Sequence, residues 1–205
     1  NLAYLLRTRG ELARAEPLYR EALEIQTGSF GRGHPNSLLL ANNLAAVLHE
    51  QGDTTGVLEV LSANAAAARA QWPSGHWRVG LAHAALGRAL LRYGRPEDAF
   101  VPLQEARRLY VEALGDDHDW TFFVEAALAA AHVTVGRDSI GQPYLDQMYR
   151  YLRDRNRTTD TPDGRALLGQ ITPFVLVLQD LGLNGEAERF EGLLPRRHAQ
   201  TEGSR

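Results

Sequence analysis

Apolar residues recur at intervals of three and four along most of the chain, the spacing of a helix face rather than of a strand. Leu2, Ala3 and Leu6 form the first stripe, and the segment ends at Gly10. The stripe returns after 42 residues: NLAYLLRTRG (1–10) aligns with NLAAVLHEQG (43–52), ALGRALLRYG (85–94) and ALAAAHVTVG (127–136). Gly10, Gly52, Gly94 and Gly136 coincide, as do Leu2, Leu44, Leu86 and Leu128. After each glycine comes a second segment with a small or modest residue (Ala15, Val57, Ala99, Gly141) and a larger apolar one four positions later (Tyr19, Leu61, Leu103, Leu145). A fifth unit, FVLVLQDLGLNGEA (174–187), is offset by four extra residues, with Gly182 and Ala187 in the same roles.

Two packed helices per unit account for this pattern. A glycine after a periodic segment favours a left-handed helix cap, and the small residue lets the second helix approach the first. Alanine, leucine, arginine and glutamate dominate, all good helix formers. The pattern predicts helices over 1–9, 11–28, 35–51, 54–71, 77–93, 96–114, 119–135, 140–153, 164–181 and 184–193.

The repeats resemble the tetratricopeptide repeat. Ala15-Glu-Pro-Leu-Tyr19 and Ala99-Phe-Val-Pro-Leu103 match the second half of its signature. The 42-residue period and the loop Gly31-Arg32-Gly33-His34-Pro35 are similar to the kinesin-light-chain type. The chain departs from the signature in lacking its tryptophan, in Val57 for alanine and in His132 where other units carry leucine. The resemblance implies an all-α, right-handed superhelical solenoid of helix-turn-helix repeats over 1–195, with units at about 1–34, 35–76, 77–118, 119–162 and 163–195, the first truncated, and a disordered tail at 196–205. SGHWRVGLAHAALGRALLRYGRPEDAFVPLQEA also looks like the repeat arrays of bacterial serine/threonine kinases, although the chain has no kinase motif.

Three histidines, His34, His76 and His118, keep the same 42-residue spacing and invite a metal reading. Adjacent helices pack about 8–10 Å apart, so equivalent loops are too distant to share an ion whose ligands sit at roughly 2.0–2.1 Å. The expectation is therefore structural: each ring packs or caps at the start of the next helix, Pro35 takes a first helical position, and Ser74 and Asp117 are the better caps. His132 is expected as a satisfied core histidine. No metal site and no cofactor is expected.

Function is expected on the concave face, which the first helix of each unit lines in the family this chain resembles. Residues of those helices off the packing stripe are Asn1, Tyr4 and Thr8; Leu39, Asn42, Asn43, Ala46 and Glu50; Leu81, Ala85, Arg88 and Arg92; and Phe123, Ala127, Ala130 and Thr134. Asn1 and Asn43 occupy equivalent positions, where the resemblance implies an amide holding the backbone of a bound peptide. From Val60 to Pro96 there is no acidic residue, yet there are five arginines, Arg69, Arg78, Arg88, Arg92 and Arg95. Arg88 and Arg92 stand four apart on one helix and repel by about 0.2–0.5 kcal/mol unless a carboxylate offsets them. That carboxylate belongs either to a partner or to a neighbouring helix, for instance at Glu50. With Leu81 and Phe123 nearby, the expected ligand is a peptide or protein with an acidic side chain and an apolar anchor.

Composition narrows the remaining classes. There is no cysteine, and all 22 basic residues are arginine. Thiol catalysis and thiolate metal sites are excluded. A net charge of −3 argues against a nucleic-acid binder, although YRYLRDRNR (149–157) interleaves tyrosine with arginine. No apolar run approaches the roughly 18 residues of a membrane span, and no signal peptide is visible, so a cytoplasmic setting is expected. No nucleophile or phosphate-loop motif is present, so the fragment is expected to be non-catalytic. Asn1 starts inside a helical pattern with Leu2 and Leu6 facing the packing side, an edge open to self-association. The favoured reading is a protein–protein interaction module of a larger protein; the alternative is a non-catalytic regulatory arm of a signalling enzyme such as a serine/threonine kinase.

Overall fold

Each inner helix ends in the same way. At Gly10, Gly52, Gly94, Gly136 and Gly182 the backbone turns to φ between +68° and +81°. The glycine N–H donates to the carbonyl three residues back, and the next N–H donates to the carbonyl five residues back, as from Gly94 to Leu91 and from Arg95 to Leu90. This paired cap satisfies two orphan carbonyls, and a residue with a Cβ adopts its φ only at a cost.

The computed structural model describes residues 2–156, 171–172 and 174–194. Along them run α1 (Leu2–Thr8), α2 (Leu12–Phe30), α3 (Pro35–Glu50), α4 (Thr54–Gln71), α5 (Trp77–Arg92), α6 (Pro96–Leu114), α7 (Asp119–Thr134), α8 (Asp138–Asn156), α9 (174–180) and α10 (Asn184–Glu191). Among the described residues there is no strand. From α1 to α8 each helix packs chiefly on its neighbours in sequence, the contact pattern of an all-α solenoid. The start of the helix expected over 164–181 and the tail at 196–205 lie outside the described residues.

The small-then-large pair in each second helix sits in the core. Ala15, Val57, Ala99, Gly141 and Ala187 are buried, and so are Tyr19, Leu61, Leu103 and Leu145. At Gly141 a Cβ would stand 2.7 Å from Val133 Cγ2 and still nearer the Ala129 carbonyl. Gly141→Ala is therefore expected to force α7 and α8 apart and to cost about 1–3 kcal/mol. Gly28, inside α2, would meet nothing within 4 Å. Gly28→Ala should instead stabilise by about 0.4–1 kcal/mol, through helix propensity and a stiffer unfolded chain. Urea melts of both variants check the pair; equal shifts would refute the close-approach argument.

The loop histidines cap helices. His34, His76 and His118 each precede the first residue of α3, α5 and α7, and Nδ1 accepts the backbone N–H two residues on, at 3.3, 3.1 and 3.1 Å. The expectation that Ser74 and Asp117 would cap is corrected: they lie before the cap position, which the histidines themselves hold. The rings also pack, His34 on Phe30 at 5.1 Å and His76 on Trp72 at 4.4 Å. Behind two of these loops, buried hydroxyls tie the turn. Ser37 donates to the Gly31 carbonyl at 2.8 Å, and Thr121, two periods later, donates to Gly115 at 2.9 Å.

His132 departs from its expectation. Its ring packs on Phe100 at 4.7 Å, but Nδ1 is buried without a hydrogen-bond partner among the described residues. At the other extreme of burial, Leu2 and Leu5 on α1 are 60 % and 53 % exposed, whereas Leu44 and Val47, one period later, are 1 % and 0 %. Ala3 and Leu6 of the first stripe are buried nonetheless, so α1 shares the repeat core on one side only.

Candidate functional site

The odd-numbered helices line one concave groove. Its central cavity, about 510 Å³, takes Arg7 from α1, Asn42 and Glu50 from α3, Leu81, Arg88 and Arg92 from α5, Phe123 from α7, and Phe174 and Val177 from α9. Of the residues expected there, Asn42, Glu50, Leu81, Arg88, Arg92 and Phe123 are therefore brought together. Leu39 stands beside them, in a hollow of about 100 Å³ that it shares with Leu81 and Asn42. Tyr4 is exposed and Asn43 half-buried, and neither lines the cavity. Asn1 lies outside the described residues. Asn42, one residue and about 100° of helix away from Asn43, is the amide that reaches the groove. Its side-chain oxygen accepts from Asn64 Nδ2 at 3.0 Å.

Most groove charges are already paired. Glu50 accepts from Arg7 at 2.8 Å rather than from an arginine of α5. Arg92 Nε donates to Asp180 Oδ2 at 2.6 Å, across 88 residues, and its Nη1 meets His49 Nε2 at 3.1 Å. His49 Nδ1 in turn meets the Tyr93 hydroxyl at 2.9 Å. So a neighbouring helix does supply an acid for Arg92, but the acid is Asp180 of α9. Arg88 differs: among the described residues its guanidinium has no hydrogen-bond or ion-pair partner. It faces a second hollow, about 220 Å³, between Leu103, Tyr110, Trp120 and Phe123.

Surrounding protein pulls the Arg88 guanidinium below the usual arginine range; Tyr110 opposes the shift and Arg92 adds to it. By area Arg88 is exposed, so water at the groove mouth tempers this desolvation. Arginine stays charged at neutral pH even so. Burial pushes the Tyr110 hydroxyl up, and the nearby Arg88 charge works against it. The site is thus a cation with no partner among the described residues, on an apolar floor.

Two family models, both described as tetratricopeptide repeat, match residues 1–62 and 84–119. Residues 1–62 and 84–119 thus carry tetratricopeptide repeats, in a fold like that of kinesin-light-chain-type repeats. Its fold is similar to BtubC (BKLC) from P. vanneervenii, with TM-score 0.67 and 17 % identity over 100 % of this chain and 85 % of that one. It is also similar to the kinesin-light-chain-type TPR-like repeats of Podosopora anserina, known in two forms. A substituted form has TM-score 0.65 and 21 % identity, and the other 0.62 and 20 %, each over 94 % of this chain and 89 % of that one. No curated protein matches the sequence. Tetratricopeptide repeats mark a protein–protein interaction scaffold of a generally non-catalytic kind. Among the described residues no helix is long and apolar enough to cross a membrane, and no three metal-ligating side chains cluster.

The array absorbs the other candidate surface. Tyr151 stacks on Phe122 at 4.0 Å and donates to Asp119 at 2.7 Å; Tyr149 packs edge-on to Phe190 and under Arg189. Neither tyrosine is a free stacking platform. The residues that the sequence did not point to are His49, Tyr93, Phe174, Val177 and Asp180. The one available signal was the fifth repeat: its first helix had to face inward like the others.

Four histidines should make the helical array acid-sensitive. His49, His76, His83 and His132 are all held below 6.5, with burial as the first cause. Arg92, Arg78, Arg69 and Arg137 respectively add to the shifts; Asp180 and Glu50 oppose the one at His49, and Glu105 the one at His83. Both ring nitrogens of His83 are buried without partners among the described residues. Because the folded state favours neutral rings, the unfolded chain binds more protons below 6.5, and stability falls with pH there. Thermal melts should show a plateau above that value and a falling midpoint as pH drops through the lowered folded values. A midpoint unchanged between about pH 7.5 and 5.5 would refute the linkage.

Proposed function

We propose that the concave groove binds an extended peptide, seating an acidic side chain on Arg88 and an apolar one between Leu81 and Phe123. The observation that carries this reading is the contrast in pairing. Arg7 and Arg92 have carboxylate partners, while Arg88, in the same cavity, has none among the described residues. A cation partly withdrawn from water gains most from a charge-assisted bond, and a ligand carboxylate supplies it. Asn42 stands on the same wall, with its amide N–H groups free to donate to a peptide carbonyl. A peptide array probed with the wild type and with Arg88→Glu tests the proposal. Acidic-plus-apolar peptides should be retained by the first and lost by the second; identical binding profiles would end it.

A further inference from the structure

Arg78 is a second cation without a counterion among the described residues. It lies at the start of α5, and its guanidinium is held against two indoles, 4.9 Å from the Trp72 ring and 4.5 Å from the Trp77 ring. Stacking fixes the plane of the group and leaves its edge N–H donors available. Among the described residues no carboxylate or carbonyl takes those donors. Arg78 lines the small hollow that also contains Leu39, Asn42 and Leu81. Asn42 and Leu81 line the Arg88 cavity as well, so the two hollows run together along α5.

We infer that the groove measures the spacing of two acidic side chains on one peptide. This rests on the reading that the groove binds a peptide at Arg88. Ten residues of helix separate Arg78 from Arg88, a rise of about 15 Å. An extended chain advances about 3.3–3.6 Å per residue, so the matching carboxylates stand roughly four residues apart. In an extended segment alternate side chains share one face. The residue midway between the acids therefore faces Leu81 and Phe123, and should be apolar. The ligand class is an extended peptide of pattern acid–x–apolar–x–acid. A helical peptide brings residues four apart to within about 6 Å and does not span the two arginines.

Two synthetic peptides of one composition test this by fluorescence polarisation. One carries two glutamates four apart with leucine midway; the other carries the glutamates adjacent. The spaced peptide should bind about tenfold more tightly, the order of one added charge-assisted bond. Arg78→Gln should erase that difference and leave the adjacent-acid peptide unchanged, which also shows that the variant is folded. Arg88→Gln should weaken both. Equal affinity for the two spacings, or loss of both peptides in Arg78→Gln with its thermal midpoint retained, overturns the spacing inference while Arg88 dependence keeps the binding reading alive. No binding of either peptide to the wild type overturns both.

Discussion

Leu103→Ala should cost about 3–4 kcal/mol, the largest stability loss we expect from a single truncation in this array. Leu103 is fully buried at the α5–α6 contact, in a cluster with Leu91, Ala99 and Tyr110. It fills the space that Gly87 leaves: a Cβ on Gly87 would lie 2.6 Å from Leu103 Cδ2. Buried leucine truncations cost about 2–5 kcal/mol, and the value depends on how far the surroundings collapse. Collapse is hindered here, because Leu103 already borders the hollow under Arg88. Deleting its side chain enlarges a void instead of letting two walls meet. For a chain of this size, 3–4 kcal/mol corresponds to a midpoint lowered by roughly 6–16 °C. Repeat arrays unfold in nearest-neighbour fashion, so the loss should centre on α5 to α7. Calorimetry gives the midpoint, and hydrogen exchange resolves the region. Val101, two residues away and 74 % exposed, is the control; Val101→Ala should stay within about 0.5 kcal/mol. Similar losses for the two variants would mean that the α5–α6 contact is not the core it looks like.

The features legible in the sequence are those that one repeat determines within itself. A Gly10 or Gly94 cap needs only the residues of its own turn. Ala99 and Leu103 announce a close helix pair because their spacing is local and recurs. Pairing across repeats is different. Arg92 and Asp180 meet across 88 residues because the stack brings α9 near α5, and no periodicity encodes that approach. Glu50 had arginines on two helices to choose from, and the choice of Arg7 over those of α5 depends on side-chain reach. Asn43 and Asn42 show the resolution limit of helical phase: one residue turns an amide away from the groove or into it. The histidine caps were half legible. Their recurrence marked them as structural, but the cap position is fixed by the first residue of α3, α5 and α7, which sequence periodicity places only to within a residue or two.

Arg88→Glu should weaken binding of an acidic peptide about a hundredfold and leave the fold as stable as before. The wild-type contact is a charge-assisted hydrogen bond in a partly desolvated groove, of about 1.5–3 kcal/mol. Reversal removes that bond and sets two carboxylates against each other, so a loss near 3 kcal/mol is the reasonable scale, and 1.4 kcal/mol is tenfold. Stability should move the other way or not at all. Arg88 and Arg92 repel at i and i+4, whereas a glutamate four residues before an arginine attracts it, a change of a few tenths of a kcal/mol. The substituted carboxylate then competes with Asp180 for Arg92, which has the donors to serve both. The decoupling is the useful part: most surface changes that abolish binding by unfolding would lower the thermal midpoint too. Salt gives a second readout, since wild-type affinity should fall as ionic strength rises while the residual affinity of the variant should not. An Arg88→Glu protein that melts normally and binds acidic peptides with wild-type affinity would move the ligand off this cavity altogether.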